Sequence, residues 1–502
     1  MQTKGTMKKL VATLLSTITV CSGVLGMVAC GNGNTDNSSS SAPAINNSQV
    51  VNGNVDVVAY DGSEVTVTFY HTMGATLRAV LDKYIPKFNA LYPNITIAHA
   101  TQGDYPGVLE QISTELMADK APSIAFCYPD HVAQYNNAKV VLPLDAWIES
   151  DLTVTNAKGE TEQVGYTQAQ LDDFVPAYYN EGTVYGDGVM YTLPFAKSSE
   201  VLYYNKTAFT QRGWEVPTTW DEMEALCKRM IEEENNSKLI PLGYDSEANW
   251  FITMTEQLKT PYTSAKKGEY YLFNNEKNWE FVKRFTDWYY EGYVITEETN
   301  GGSYSSDLFK RTDHTKTYTY MSIGSSAGAS YQCPLKISDG VYPFEVGVAM
   351  IPQADATNKK VISQGPSLCL FKKANPQEMA AAWLFTKFLT SNVELQADYS
   401  IASGYTCAIQ SVEQDPYYVQ FLDTANGNSN LQASCVKLTT SQEYKDAFFI
   451  SPAFNGSSTA REQVGLMVTN CLLNCAGKEN TMDLIKAEFD KALKKCEYLD
   501  NN

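Results

Sequence analysis

Between Glu64 and Tyr128 the chain alternates two hydrophobic periods, and that alternation narrows its fold more than any other feature. Val65, Val67 and Phe69 recur at every second position, the period of a strand with one buried face. From Leu77 to Leu91 apolar residues return at helical spacing, with Pro86 as a candidate kink and Pro93 as a stop. Ile95-Thr96-Ile97 opens a second strand, Tyr105 to Asp119 reads as a second helix, and Ser123 to Tyr128 reads as a buried strand. Strand, helix, strand, helix, strand predicts an α/β fold with a mostly parallel sheet covered on both faces. Open sheets of this kind take ligands beyond the carboxyl ends of their strands.

The rest of the chain continues the pattern less regularly. Residues 206 to 310 are helix-rich and carry Trp214, Trp220, Trp250, Trp279 and Trp288. A strand from Tyr318 to Ile323 runs into Gly324-Ser325-Ser326-Ala327-Gly328, and another follows from Val346 to Ile351. Asn375-Pro376 reads as a cap and first helical position for a helix from Gln377 to Leu389. Two helices close the chain, Arg461 to Cys475 and Asp483 to Tyr498. Neither an internal repeat nor a second linker divides the sequence, so two lobes would be interwoven by several crossings.

The first sixty residues carry an address rather than a fold. Lys4, Lys8 and Lys9 precede an uncharged, mostly apolar run from Leu10 to Leu25, the layout of an export signal. The run is short and oddly flanked for a spanning helix, the alternative reading. Met27-Val28-Ala29-Cys30-Gly31 then resembles a bacterial lipobox, which implies a lipidated (palmitate-bearing) Cys30 as the mature N-terminus. Cys21 is a rival, preceded by bulky Val20, and Met7 offers a second start. Gly31 to Asn54 is rich in Asn, Ser and Gly and predicts a flexible leash. The expected divisions are a signal peptide at 1–29 and a tether at 30–62, with the folded part beyond. The expected location is the outer face of a cell membrane, anchored by lipid.

Charge and cysteines exclude several functions. Removing the first 29 of 502 residues loses three lysines and no acid, moving the formal charge from −19 to −22 and leaving 473 residues, enough for two lobes. Such a chain is unsuited to nucleic acid or anionic lipid headgroups. Of eleven cysteines, nine follow the signal region, and no CxxC pair occurs, against zinc ribbons and redox motifs. Cys471 and Cys475 lie four apart and read as small buried hydrophobes. Free thiols in an exported protein would suit a reducing habitat.

Gly324 to Gly328 matches the G-x-S-x-G nucleophile elbow after a strand. The histidines, His71, His99, His131 and His314, all precede Ser326, so the hydrolase order of serine, acid, histidine fails. The same turn suits a neutral hydrogen-bonding site for phosphate, carboxylate or hydroxyl groups. Asp172-Asp173 are chain neighbours and a poor glycosidase pair, and Glu232 to Glu234 reads as a solvated helix face. With 32 tyrosines, rings in loops after strands, such as Tyr105, Tyr128 and Tyr405, are candidates to pack on sugar faces.

Several segments together then resemble a known family. They are Phe69 to Met73, Phe88-Asn89 with Tyr92-Pro93, Gly103-Asp104-Tyr105, Ala121-Pro122, Leu193 to Phe195 with Val201 to Lys206, Pro217 to Asp221, and Ser403-Gly404-Tyr405. In this order they are similar to the extracellular solute-binding proteins of ABC importers, in the sugar-binding group (family 1), and most of all to its glycerol-3-phosphate and glycerophosphodiester binders. The resemblance spans residues 63 to 498. It implies a periplasmic-binding-protein-like fold of two lobes, each a mostly parallel sheet flanked by helices, with the ligand cleft between them. Lobe 1 would be 63–195 and 363–402, and lobe 2 would be 196–362 and 403–502. Leu193 to Lys206, Gln364 to Leu368 and Ser403 to Tyr405 resemble the three hinge crossings.

The resemblance also implies a site. Tyr105 matches a first-lobe tyrosine, and Asp130 stands near the acid that follows the third strand. Ser198, or Lys197 beside it, falls before the hinge strand, and Ser325 or Ser326 falls in the strand-to-helix turn. Gly365 and Tyr405 match hinge positions, Trp250 an aromatic wall of lobe 2, and Arg461 a phosphate-binding arginine. Independently, Arg461 offers a planar fork suited to phosphate or a row of hydroxyls. The expected function is a lipid-anchored, monomeric binding component of an ABC import system, capturing a sugar or a sugar- or glycerol-phosphate and passing it to permease subunits. No catalytic residue, metal or cofactor is expected. The alternatives are a secreted polysaccharide or ester hydrolase and a surface sensor for the same ligands.

Overall fold

The computed structural model of the protein describes residues 48–51, 55–118, 120–337 and 340–500. The expected signal segment and Cys30 lie outside the described residues. Among those that are described, no helix is long and apolar enough to cross a membrane.

Two five-stranded sheets carry three hydrophobic clusters, one in the second lobe and two in the first, where Ala125 and Cys369 pack with Val108 and Tyr135 apart from Phe126 and Leu368. In the first, the strand order is Ile95–Thr101, Val65–His71, Ile124–Cys127, Ser367–Leu370, Thr192–Pro194. Val65–His71 runs parallel to both its neighbours, and Ser367–Leu370 antiparallel to both of its own. The second sheet repeats the plan in the order Val294–Thr296, Leu242–Tyr244, Met321–Ser325, Glu200–Asn205, Val346–Met350. There Leu242–Tyr244 is parallel to both neighbours and Glu200–Asn205 antiparallel to both. The expected mostly parallel sheets are therefore present, each with one reversed strand. The reason is topological. Ser367–Leu370 and Glu200–Asn205 are the strands by which the chain enters each lobe from the other. They arrive where the remaining strands end, and so run against them.

Helices cover both sheets, some burying a single face and others, such as Pro376–Ser391, buried nearly all round. The helix Ala75–Asn89 buries Leu81, Tyr84 and Phe88 and runs through Pro86 without stopping. Pro376–Ser391 starts at the Asn375-Pro376 cap, where the Asn375 side chain accepts from the Gln377 N–H, and it buries Trp383 and Phe385. In the second lobe, Trp220, Trp250, Phe281, Phe285 and Trp288 share one core, and Ser457–Cys475 packs Cys471 and Cys475 into it as small hydrophobes.

Two expected boundaries move. The tether, expected to reach residue 62, ends earlier, because Val57, Ala59 and Tyr60 are buried in the first lobe's core. The return to lobe 2, expected at residue 403, comes later. Cys407, Ile409, Val412 and Tyr418 still pack in the first core.

At the hinge the crossings lie side by side. Ala196–Lys197 pairs antiparallel with Thr406–Cys407. Ser198 and Gln364 exchange both backbone hydrogen bonds, each 2.9 Å long. Gly365 has φ +94°, and a Cβ there would stand 2.5 Å from the Ala196 carbonyl oxygen, so glycine alone suits this close crossing.

Candidate ligand cleft

Strands that end at the same edge of each sheet deliver their following residues to the space between the lobes. Two cavities occupy it, of about 60 and 460 Å³, and Tyr128, Asp130 and Arg461 line both. From the first lobe, Ile124–Cys127 ends at Tyr128 and is followed directly by the helix Pro129–Asn136, which places Asp130 in its first turn. Tyr105 opens the helix Tyr105–Leu116, whose Asp104 cap accepts from the Gly107 N–H at 2.8 Å. The rings of Tyr105 and Tyr128 stack at 4.0 Å with planes 24° apart. Burial pushes the Tyr105 hydroxyl well above its ordinary pKa, and the neighbouring Tyr128 and Tyr405 add to the rise. Beside them His131 is 5% exposed, with Nδ1 lacking a hydrogen-bond partner among the described residues. Burial lowers its pKa, against the pull of Asp130.

The second lobe supplies Arg461 from the helix Ser457–Cys475, which begins four residues earlier than the sequence suggests. Its Nη2 donates to Asn249 Oδ1. Asn249 is fixed in turn, its Nδ2 donating to Glu200 Oε1 at 3.1 Å, while the Tyr244 hydroxyl donates to Glu200 Oε2 at 2.6 Å. Glu200 is wholly buried, and burial raises its pKa to about 7 despite these donors. A buried acid, an amide and a guanidinium thus form one chain that aims Arg461. Tyr262 adds an aromatic face to the smaller cavity.

The larger cavity is acidic on its lobe 2 side. Asp245, Glu247, Glu297, Glu298 and Glu462 line it, and Arg461 is the one basic side chain there among the described residues. None of those five acids takes part in an ion pair among the described residues. Glu297 rises to about 7 through burial, then through the charges of Asp245, Glu247 and Glu298. Burial likewise raises Asp245 and Glu247.

Of the residues expected from sequence, the cleft brings together Tyr105, Asp130 and Arg461, with Tyr405 half-buried behind the tyrosine pair. Others lie elsewhere. Trp250 stacks on Phe285 at 3.9 Å and lines a separate groove with Trp220 and Arg284. It sits on the helix Glu247–Gln257, whose first residues reach the cleft while Trp250 turns into the core. Ser326 is fully buried and its Oγ accepts from the Ser199 N–H at 3.2 Å, so it ties the turn to the hinge strand. Ser325 Oγ accepts from the Ala327 N–H, and its carbonyl accepts from the Tyr203 hydroxyl at 2.8 Å. Ser198 and Gly365 belong to the crossings themselves.

Tyr262, Asp245, Glu247, Glu297 and Glu298 are functional candidates that the sequence reading missed. A signal existed for four of them. Asp245 and Glu247 follow the strand Leu242–Tyr244, and Glu297 and Glu298 follow Val294–Thr296, the positions where parallel strands deliver ligand contacts.

Comparison with known proteins agrees with this architecture. The glycerol-3-phosphate-binding periplasmic protein UgpB of Salmonella typhimurium is 22% identical over 387 residues, covering 72% of this chain and 80% of that protein. The same protein from Shigella flexneri serotype 5b is 26% identical over 355 residues, covering 68% and 73%. Among solved structures, the GacH receptor of Streptomyces glaucescens superposes with a TM-score of 0.64 at 17% identity, covering 86% of this chain and 98% of that one. UgpB of Mycobacterium tuberculosis, solved with glycerophosphocholine, gives 0.63 at 16% identity over 86% and 99%. Both are two-lobed binding proteins of the same fold. Residues 83–420 match the bacterial extracellular solute-binding protein family, and the chain belongs to that family.

Proposed function

We propose that this chain is the solute-binding component of an ABC import system, holding a carbohydrate or glycerol-phosphate-like polyol between its lobes. The observation that carries this reading is a cleft lined from both lobes by a stacked tyrosine pair and one aimed arginine. Tyrosine faces suit the C–H faces of a sugar, and a guanidinium suits hydroxyl rows or a phosphate. A volume near 460 Å³ falls in the range of small-molecule sites. Curated relatives named for glycerol-3-phosphate binding support the ligand class.

The action is capture without chemistry. A solute that contacts both lobes favours the closed arrangement by its differential affinity, and a permease would read that arrangement. The G-x-S-x-G serine, Ser326, is buried and hydrogen-bonded to the hinge strand, which supports a structural use of the motif. Lipidation at Cys30 would hold the monomer at the outer face of the membrane, where a tether raises its effective concentration near the permease.

A thermal-shift screen over maltodextrins, glycerol phosphates and glycerophosphodiesters tests the reading, because a ligand that binds the folded state alone raises Tm. A rise with one class supports it. No response to any class sinks it.

A further inference from the structure

The cleft gathers more carboxyl groups than a neutral or anionic solute needs. Asp245, Glu247, Glu297 and Glu298 converge from the ends of two neighbouring strands and the helix that follows one of them. The first lobe adds Asp130 on the cavity wall, and Asp104 is near enough for its charge to act on Tyr304, as Glu297 does from the second lobe. The chain forms ion pairs freely elsewhere, at its surface and inside its hinge. Along this wall, among the described residues, it forms none with Asp245, Glu247, Glu297 or Glu298, and Arg461 is already engaged with Asn249. Bringing acids of two lobes together in a partly dry cavity is unfavourable unless a cation lies between them.

Independent features of the cleft also await a ligand. Among the described residues, Glu247, 5% exposed, has Oε1 without a hydrogen-bond partner, and on the facing lobe His131 Nδ1 is likewise buried without one. Buried polar atoms are rarely left so in a finished site. Aromatic faces with nearby carboxylates are the usual surroundings of an amine or quaternary ammonium.

We propose that the solute carries a positive charge, an amino or quaternary ammonium group on a sugar or polyol frame. In this assignment Asp245, Glu247, Glu297 and Glu298 hold the cation, and the Tyr105–Tyr128 pair covers the frame. The assignment rests on the solute-binding reading above and narrows it. The cation would also explain how the lobes close, since it offsets the repulsion that opposes their approach.

Matched pairs test it. Isothermal titration would compare di-N-acetylchitobiose with its de-N-acetylated form, and glycerol 3-phosphate with glycerophosphocholine, where only the second member of each pair carries a cation. The expected result is a cationic member bound at least about tenfold more tightly than its partner, with affinity falling as salt is raised. Glu298→Gln, at an exposed position, and Glu297→Gln should each weaken that binding about tenfold, while Glu269→Gln, in the lining of a different cavity, should not. A preference for the amino sugar or for the quaternary ammonium would identify the source of the charge. Equal or tighter binding of the uncharged or anionic partners, or cationic binding indifferent to both cleft variants, would overturn the charge assignment and leave the solute-binding reading standing. Silence from all four compounds and from maltodextrins would overturn both.

Discussion

Lys197 Nζ lies 2.7 Å from Glu181 Oε2 at the hinge, and both side chains are buried. Lys197 also donates to Ser367 Oγ at 2.9 Å, so one ammonium joins the segment before the crossing to the strand that re-enters the first lobe. Removing one partner leaves a charge stranded in a dry place. Lys197→Met should cost about 3–5 kcal/mol in urea unfolding. Lys197→Met combined with Glu181→Gln should recover much of that loss. A single variant no less stable than the double would contradict the pairing.

Arg461 is aimed by Asn249, which Glu200 holds. Arg461→Ala should weaken the strongest binder from the thermal screen by about ten- to a hundredfold, on the scale of a lost charge-assisted hydrogen bond. Asn249→Ala should weaken it less, by freeing the guanidinium rather than deleting it. Arg461→Lys keeps the charge without the planar fork and should recover part of the loss. Affinity unchanged in Arg461→Ala would remove this residue from the site.

Glu200 gives stability a pH dependence of known sign. Its carboxyl titrates near 4.5 when unfolded and near 7 when folded. Between those values the folded state holds a proton that the unfolded state has released, so stability falls as pH rises. The full cost, on the order of 3 kcal/mol, is reached above about pH 7. Glu297, also raised to about 7, acts in the same sense, and His71, lowered to about 4 by burial, in the opposite sense as pH falls below its ordinary value, so the raw profile mixes several groups. The clean measurement is the difference between the wild type and Glu200→Gln from pH 5 to 8. It should change steadily in favour of the variant, and a difference flat across that range would refute the assignment.

Cys333 is half-buried, whereas Cys127, Cys227, Cys369, Cys407 and Cys435 are free and fully buried. A thiol reagent needs access to sulfur, and burial also raises the pKa of a buried thiol such as Cys227. Folded protein beginning after Cys30 should therefore show one fast thiol in a dithionitrobenzoate assay, and Cys333→Ser should abolish that phase. Persistence of the fast phase in the variant would place the exposed thiol elsewhere.

How far the sequence could be read depended on whether local pattern or distant approach decided a feature. Val65, Val67 and Phe69 declare a strand because their period is local, and all three are buried as that period requires. Pro86, a candidate kink, lies inside the helix Ala75–Asn89, which continues beyond it to Asn89. Trp250 failed as a cleft residue because a tryptophan one turn into a helix satisfies a core and a ligand wall equally well on paper. Its stacking on Phe285 depends on a helix that begins some 25 residues later. Glu297 and Glu298 follow a strand end, but only the fold sets them beside Asp245 and Glu247. Gly365 was legible as a hinge glycine, but the Ala196 carbonyl that forbids a side chain there is visible only in three dimensions.

The three crossings are hydrogen-bonded to one another, Lys197 to Thr406 and Ser198 to Gln364. Parallel leaves joined along their length behave as a flexure: they bend readily out of their plane and resist shear and torsion. An opening of the lobes about this hinge would follow that bend, as a stroke along one path. Two positions of one stroke can be told apart by a partner that touches both lobes at once, whatever the cleft happens to hold.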